Sequence, residues 1–369
     1  MAFDFDELDE AALARLRDGS TDEAALAALG AAEAPSAWGG GFLPPMRNIA
    51  HRARAHLPSR TDLPAYLPML NLPGREAGPI RVRLFLFYGA GDSIAAWAGV
   101  LGSELLPEWL DVAIFECPGH GQRCREAIPR SLAEVAQEAY GAVADVLREH
   151  TCGGTLEGAP FALAGHSMGA QIAADVAAMA KRKLGLEPCS LFAMDRGAPH
   201  LPLYTEEGYR LLCLDEPSEF FEGFNPTIHK MMSWSSRSDL EKDTERMIRM
   251  WQQDLRLSQE HLWAEGYHIF HCPIYVFCAR RNFLIDQMLQ QGQKVSADLL
   301  RMHSINCRIT SSGSKSSAPW SEQSYHDWGK WTTERCEVHA IDADHVSIKL
   351  HGNMWKVVVS ALDALTHVA

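Results

Sequence analysis

The sequence holds no C-x-x-C pair, no H-x-x-x-H or H-E-x-x-H spacing, no excess of positive charge and no apolar run of bilayer-spanning length. Each absence excludes something. Without paired cysteine or histidine spacings no zinc site is expected among the 16 histidines and nine cysteines, and no cofactor is implied. A net charge of −13 argues against a nucleic-acid partner and against an anionic membrane surface. Cys189, Cys272 and Cys278 sit in apolar runs, as free thiols packed like small hydrophobes do, which suits a reducing compartment. The first residues, Met1-Ala2-Phe3-Asp4-Phe5-Asp6-Glu7, are acidic and lack the basic-then-apolar order of a secretory signal. The expectation is a cytoplasmic protein without a membrane span, an unfamiliar organelle presequence being the alternative.

What is present is enough apolar sequence, 47% of 369 residues, to bury a sizeable core in one large or two modest domains. Residues 1–75 read as a partly helical extension: an Ala/Leu/acid-rich stretch over 8–29, a Pro/Gly/Ala stretch over 34–45, then Arg47, Arg52 and Arg54. From residue 80 the pattern alternates. Apolar runs at 81–87, 111–116, 161–165, 190–194, 273–278 and 335–341 predict strands, and helical spacing at 131–149, 168–183 and 355–365 predicts helices. That alternation predicts an α/β unit over 76–369 with a mostly parallel sheet. Residues 201–267 interrupt it with helical sequence rich in aromatics (Phe220, Phe221, Phe224, Trp234, Trp251, Trp263) and read as a lid insertion, an ordinary helical subdomain being the alternative. Residues 287–333 form a polar, Trp-bearing insertion, with a Ser/Gly loop at 311–317 expected to be exposed.

The most specific stretch is Gly165-His166-Ser167-Met168-Gly169, set between an apolar run and a small-residue helix. Strand, sharp turn and helix with serine at the apex is the pattern of a nucleophile elbow, and only glycine fits two residues either side of so tight a turn. A strand-to-helix turn whose serine merely caps the helix shares the pattern. A serine hydroxyl becomes a strong nucleophile only beside a base, so Ser167 requires a histidine with an acid to orient it. His345 lies just after the last strand and before the last helix, where such a base is expected. His339 falls within the strand and His351 beyond it; His120 and His166 read as turn residues, and His200 and His229 belong to the lid region.

Four stretches in order resemble the type II thioesterases that accompany polyketide and nonribosomal peptide synthases. They are Leu84-Phe85-Leu86-Phe87-Tyr88-Gly89-Ala90-Gly91 with Trp97 after it, Pro118-Gly119-His120-Gly121-Gln122-Arg123, the serine elbow, and Arg196-Gly197-Ala198-Pro199. The resemblance implies an α/β-hydrolase fold with a helical lid, and hydrolysis of acyl thioesters from the phosphopantetheine arm of an acyl carrier protein. It also implies an oxyanion hole made by the backbone amides of Met168 and Ala90. A carboxylesterase or lipase acting on oxygen esters, and a catalytically weak homologue that binds carrier proteins, remain the rival readings.

The acid departs from that family. Its aspartate follows the penultimate strand, where this chain has Ala279-Arg280-Arg281-Asn282-Phe283, with Asn282 near the expected place. Asp195, at the end of the 190–194 strand, resembles instead the placement in thioesterase domains integrated into synthase modules. Carboxyl ends of adjacent parallel strands open on one crevice, so either placement can reach the same histidine. Asp195 is therefore the preferred acid, with Asp286 the alternative, then an arrangement built on Asn282 or lacking an acid, and last Asp327. Asp342 and Asp344 are too near His345 in sequence to orient its ring easily. Arg280 and Arg281 could meet a phosphate or an acidic carrier protein at the site mouth, or simply be solvated.

Overall fold

The structure is a computed structural model and describes residues 80–101, 105–149, 160–204, 206–216, 219–220, 238–264, 268–280 and 322–366. The extension over 1–75, the 311–317 loop, His229, Arg281, Asn282 and Asp286 lie outside the described residues.

Six strands form one sheet: β1 (Val82–Phe87), β2 (Leu110–Ile114), β3 (Phe161–His166), β4 (Ser190–Met194), β5 (Ile274–Ala279) and β6 (Cys336–Ile341). Their order is β2-β1-β3-β4-β5-β6, and every neighbouring pair is parallel. A parallel sheet covered on both faces needs strands that are apolar at every position rather than at alternate ones. The sequences VRLFLF, FALAGH, SLFAM and IYVFCA meet that demand, and all of their residues are buried. The exception in β1 is Arg83, which is paired with Asp111 at the facing register position of β2, Nε to Oδ2 2.5 Å. β2 stops at Ile114, short of the expected 116, which frees Glu116 to act as an acceptor in the loop that follows.

The helices that cover the sheet are amphipathic or small-residue. α1 (Ala98–Leu101) is a single short turn after β1. α2 (Leu132–Glu149) turns Leu132, Val135, Ala139, Val143 and Val146 inward, the i, i+3, i+4 spacing of a core-facing stripe. α3 (Met168–Leu184) is buried from Met168 to Ala180, which its many alanines allow by letting it lie close to the sheet. It ends at Gly185 in the left-handed region, with Lys181, Arg182 and Lys183 in its last turn. α7 (Gly352–Thr366) closes the fold with Met354, Trp355 and Val358 fully buried, Trp355 meeting Trp97 edge to face.

Between β4 and β5 the described part of the expected lid comprises α4 (Glu206–Leu212) and α5 (Ser238–Glu260). Ile248 and Leu255 of α5 join Leu203, Tyr204, Leu212 and Phe220 in a second small apolar cluster, with Trp251 packed against it. The chain just after α5 is held on α3, where the Asp175 carboxylate accepts from Trp263 Nε1 at 2.8 Å and meets His261 Nε2 at 2.7 Å. The described end of the polar insertion turns inward. α6 (Glu322–His326) and the turn Asp327–Trp331 bury Tyr325, Trp328 and Trp331, and Trp328 Nε1 donates to the Arg196 carbonyl at 2.8 Å.

Candidate active site

The carboxyl ends of β1, β3, β4 and β6 open on one crevice, and each delivers one part of the site. β3 ends in His166, and the chain reverses through Ser167 at φ 54°, ψ −120°, a sparsely populated backbone conformation for a residue with a side chain. The turn is held by Ser167 N–H donating to the Met194 carbonyl at 2.9 Å. A Cβ on Gly165 would overlap the Gly169 carbonyl, and one on Gly169 would overlap the carbonyl of Phe87. Glycine at both places is thus a packing requirement.

Asp195 directly follows β4 and also has positive φ, 51°. Its amide donates to Phe277 O at 2.7 Å, and its carboxylate is fully buried. Oδ1 accepts from Ala279 N–H and from the Tyr325 hydroxyl, both at 2.9 Å. Oδ2 is left for His345, whose Nδ1 stands 2.6 Å away. A carboxylate can only accept, so His345 Nδ1 carries the hydrogen and its Nε2 presents a lone pair. Ser167 Oγ lies 3.1 Å from that Nε2. The hydroxyl, the imidazole and the carboxylate therefore form one hydrogen-bonded line whose polarity points a proton acceptor at the serine.

The other acids lie elsewhere. Asp344 is engaged by the amide and hydroxyl of Ser347, both at 2.6 Å, in the turn that carries His345. Asp342 is exposed. Asp327 meets Lys330 Nζ at 2.8 Å, Gln323 at 3.0 Å and His200 at 3.5 Å, and these neighbours hold its carboxyl below the usual range in spite of partial burial. His339 lies within β6, stacked on Phe277, and His351 stands immediately before α7.

His166 differs from the turn residue expected. It is the last residue of β3, buried, with Nε2 2.6 Å from the backbone carbonyl of His345 and the two rings 4.8 Å apart. That carbonyl can only accept, so Nε2 carries the hydrogen, while Nδ1 has no hydrogen-bond partner among the described residues. Burial first, then the Lys349 charge and the adjoining His345 ring, push its pKa well below the ordinary imidazole value and keep it neutral.

The loop after β1 approaches the serine closely: a Cβ on Gly89 would stand 3.1 Å from Ser167 Cβ. Asp92, at its far side, is bound by the buried ammonium of Lys349. Met168 N–H is the first amide of α3, where helix geometry supplies no intrahelical acceptor, so the positive end of the helix dipole lies beside Ser167. Arg196, of the fourth motif, is buried beneath the site and donates to Gln171 Oε1 at 3.0 Å; burial pushes its pKa down to about 9, which leaves it charged at neutral pH. Arg280 is exposed at the end of β5.

Two residues at the site have no counterpart in the sequence reading. Tyr325 comes from the segment taken as a polar insertion, and its only local signal is an aromatic cluster, Tyr325, Trp328 and Trp331, too apolar for a solvated loop. Asp254 of α5 reaches Gly91 N–H at 2.8 Å. It occupies a position on the apolar face of its helix, where a carboxylate is a mark of burial.

Among curated proteins, the chain is 26% identical over 186 residues to linear gramicidin dehydrogenase LgrE of Brevibacillus parabrevis, an alignment covering 50% of this chain and 64% of that protein. It is 30% identical over 159 residues to the medium-chain S-acyl fatty acid synthase thioesterase of Anas platyrhynchos, covering 40% of this chain and 59% of the duck enzyme. Both alignments span less than two thirds of those relatives. Among solved structures, the type II thioesterase BorB from the borrelidin biosynthetic cluster shares the fold, with TM-score 0.55 and 17% identity over 81% of this chain and 98% of BorB. These likenesses agree with the resemblance carried by the four motifs. The family model described as "Thioesterase domain" matches residues 82–358, three quarters of the sequence, and the chain belongs to that family.

Proposed function

We propose that this protein hydrolyses acyl thioesters carried on the phosphopantetheine arm of an acyl carrier protein, with Ser167 as nucleophile, His345 as base and Asp195 as orienting acid. The observation that carries this reading is the line of contacts from Ser167 Oγ to His345 Nε2, 3.1 Å, and from His345 Nδ1 to Asp195 Oδ2, 2.6 Å. Family membership and the synthase-associated relatives support this substrate class.

In the first half-reaction Ser167 Oγ attacks the thioester carbonyl carbon while His345 Nε2 takes the hydroxyl proton. The carbonyl oxygen becomes an oxyanion facing the amides of Met168 and Ala90. The tetrahedral species collapses, the C–S bond breaks, and the pantetheine thiolate takes the proton from the imidazolium. In the second half, His345 takes a proton from water, the hydroxide attacks the acyl-serine, and the free acid leaves as Ser167 recovers its proton. Asp195 remains ionised throughout and stabilises the imidazolium. The buried Ala279 amide and Tyr325 hydroxyl hold its other oxygen in place.

The test is release of free acid from an acyl-loaded carrier protein. The full chain is expected to turn over and Ser167→Ala to be inactive. Turnover retained by that variant would remove the reading, and preference for oxygen esters over acyl-pantetheine would replace it with a carboxylesterase.

A further inference from the structure

Among the described acidic side chains of α5, Asp254 closes against both loops beside the site. Its Oδ2 receives Gly91 N–H at 2.8 Å and His120 Nε2 at 2.8 Å. The second nitrogen of His120, Nδ1, lies 2.9 Å from the Pro118 carbonyl. A carboxylate and a carbonyl can only accept, so both contacts are satisfied together only when both ring nitrogens carry hydrogen. The geometry therefore requires an imidazolium. His120 is 1% exposed and Asp254 3%, so the charge pair is closed off from water.

The surroundings are consistent with that charge. Facing His120 are Asp254 from α5, the Glu116 carboxylate after β2, the Tyr88 ring at 5.9 Å after β1, and Cys117, whose thiol burial keeps neutral. Glu116 is itself held by the Tyr88 hydroxyl at 2.6 Å, and Arg123 Nη1 binds the Glu116 carbonyl at 3.0 Å. Burial disfavours the imidazolium. The Asp254 bond and charge, with Pro118 O and Glu116, outweigh it and raise the His120 pKa above the ordinary value.

We infer that Asp254 and His120 are positioning residues of the oxyanion hole, an ion pair carried partly on α5 that fixes the Ala90–Gly91 peptide beside Ser167. Holding the Gly91 N–H fixes that peptide plane, and with it one end of the Ala90 residue whose own amide lies one Cα away, which restrains how that amide is presented. α5 meets the same loop a second time. Gly91 has φ +74°, and a Cβ there would sit 2.8 Å from Trp251 Cδ1, one turn before Asp254. Seating of α5 and competence of the oxyanion hole are thus one event. Lifting the helix removes the acceptor of Gly91 and releases the peptide. The inference rests on the roles proposed above for Ser167 and the 89–91 loop.

The test is the rate at which a fluorophosphonate labels Ser167 in the full chain, because the phosphonyl oxygen enters the oxyanion hole whatever acyl group is the natural one. Asp254→Asn keeps the shape but removes the charge, and labelling is expected to slow about tenfold, with a larger loss in Asp254→Ala. Acyl-pantetheine kcat should fall in parallel with KM unchanged. In the unmodified enzyme, labelling should decline at alkaline pH as His120 loses its proton, and Asp254→Ala should lack that decline. Variants that label at the unmodified rate, losses confined to KM, or an alkaline decline that survives in Asp254→Ala would overturn the inference. An unmodified chain that never labels would instead remove the reading of Ser167 itself. Should either variant fail to fold, a flat alkaline profile in the unmodified enzyme suffices to overturn it.

Discussion

Replacing Asp195 by asparagine separates an orienting acid from a residue that merely fills space. The side chains are nearly isosteric, and Asp195 is fully buried, so the fold should be unaffected. The network decides which way the new amide faces. The Ala279 N–H, 2.9 Å from Oδ1, cannot reverse its polarity, whereas the Tyr325 hydroxyl can rotate. The amide oxygen must therefore stay on the Ala279 side, and the NH2 must face His345 Nδ1. That forces the hydrogen of neutral His345 onto Nε2, pointing at Ser167 Oγ, where it cannot take the serine proton. Comparable triads lose about 10⁴ in kcat from this change, equivalent to about 5 kcal/mol of transition-state stabilisation. The assay is thiol release from an acyl-pantetheine thioester, with thermal unfolding as the control for fold. The expected result is a kcat lower by about 10³ to 10⁴ with KM unchanged. Asp286→Asn should be near the unmodified enzyme. A loss under about tenfold in Asp195→Asn, or a larger loss in Asp286→Asn, would refute the assignment.

Other outcomes follow from single contacts. Gly169→Ala places a methyl against the Phe87 carbonyl. It should lower stability by roughly 1–3 kcal/mol or more in urea unfolding and slow Ser167 labelling as the elbow shifts. Arg83→Met leaves Asp111 buried and unpaired between β1 and β2; a loss of about 3–5 kcal/mol is expected, measured in the same way. His166 is neutral in the fold with its pKa depressed, so the unfolded chain binds the extra proton first. The stability it confers is complete above about pH 6.5 and is lost as pH falls toward the folded pKa, by at most about 1.4 kcal/mol per pH unit. In His166→Phe that slope should flatten.

The strands were readable because a doubly covered parallel sheet demands unbroken apolar runs, and β1, β3, β4 and β5 supply them within a residue or two of the expected bounds. Ser167 was readable because the steric demand of its turn is local: two glycines at fixed offsets. His345 followed from its place after the last strand. Asp195 rests on a resemblance to thioesterase domains integrated into synthase modules, since nothing in its neighbours announces a carboxylate bound from three sides. Tyr325 and Asp254 were not readable. Each meets its partner across more than a hundred residues of chain, and no local spacing links the two ends of either contact. The helix carrying Asp254 has so many charges that only its position on the buried face distinguishes that one. The apolar pattern ends at Gly165, one residue before β3 does, and so puts His166 in the turn rather than in the strand.

The most direct measurement is the mass of the Ser167 peptide after rapid quenching of the enzyme with an acyl-pantetheine thioester. An increase equal to the acyl group on Ser167, accumulating and then decaying as free acid appears, is the expected result. Free acid formed at full rate with no adduct on Ser167, and undiminished in Ser167→Ala, would contradict the account.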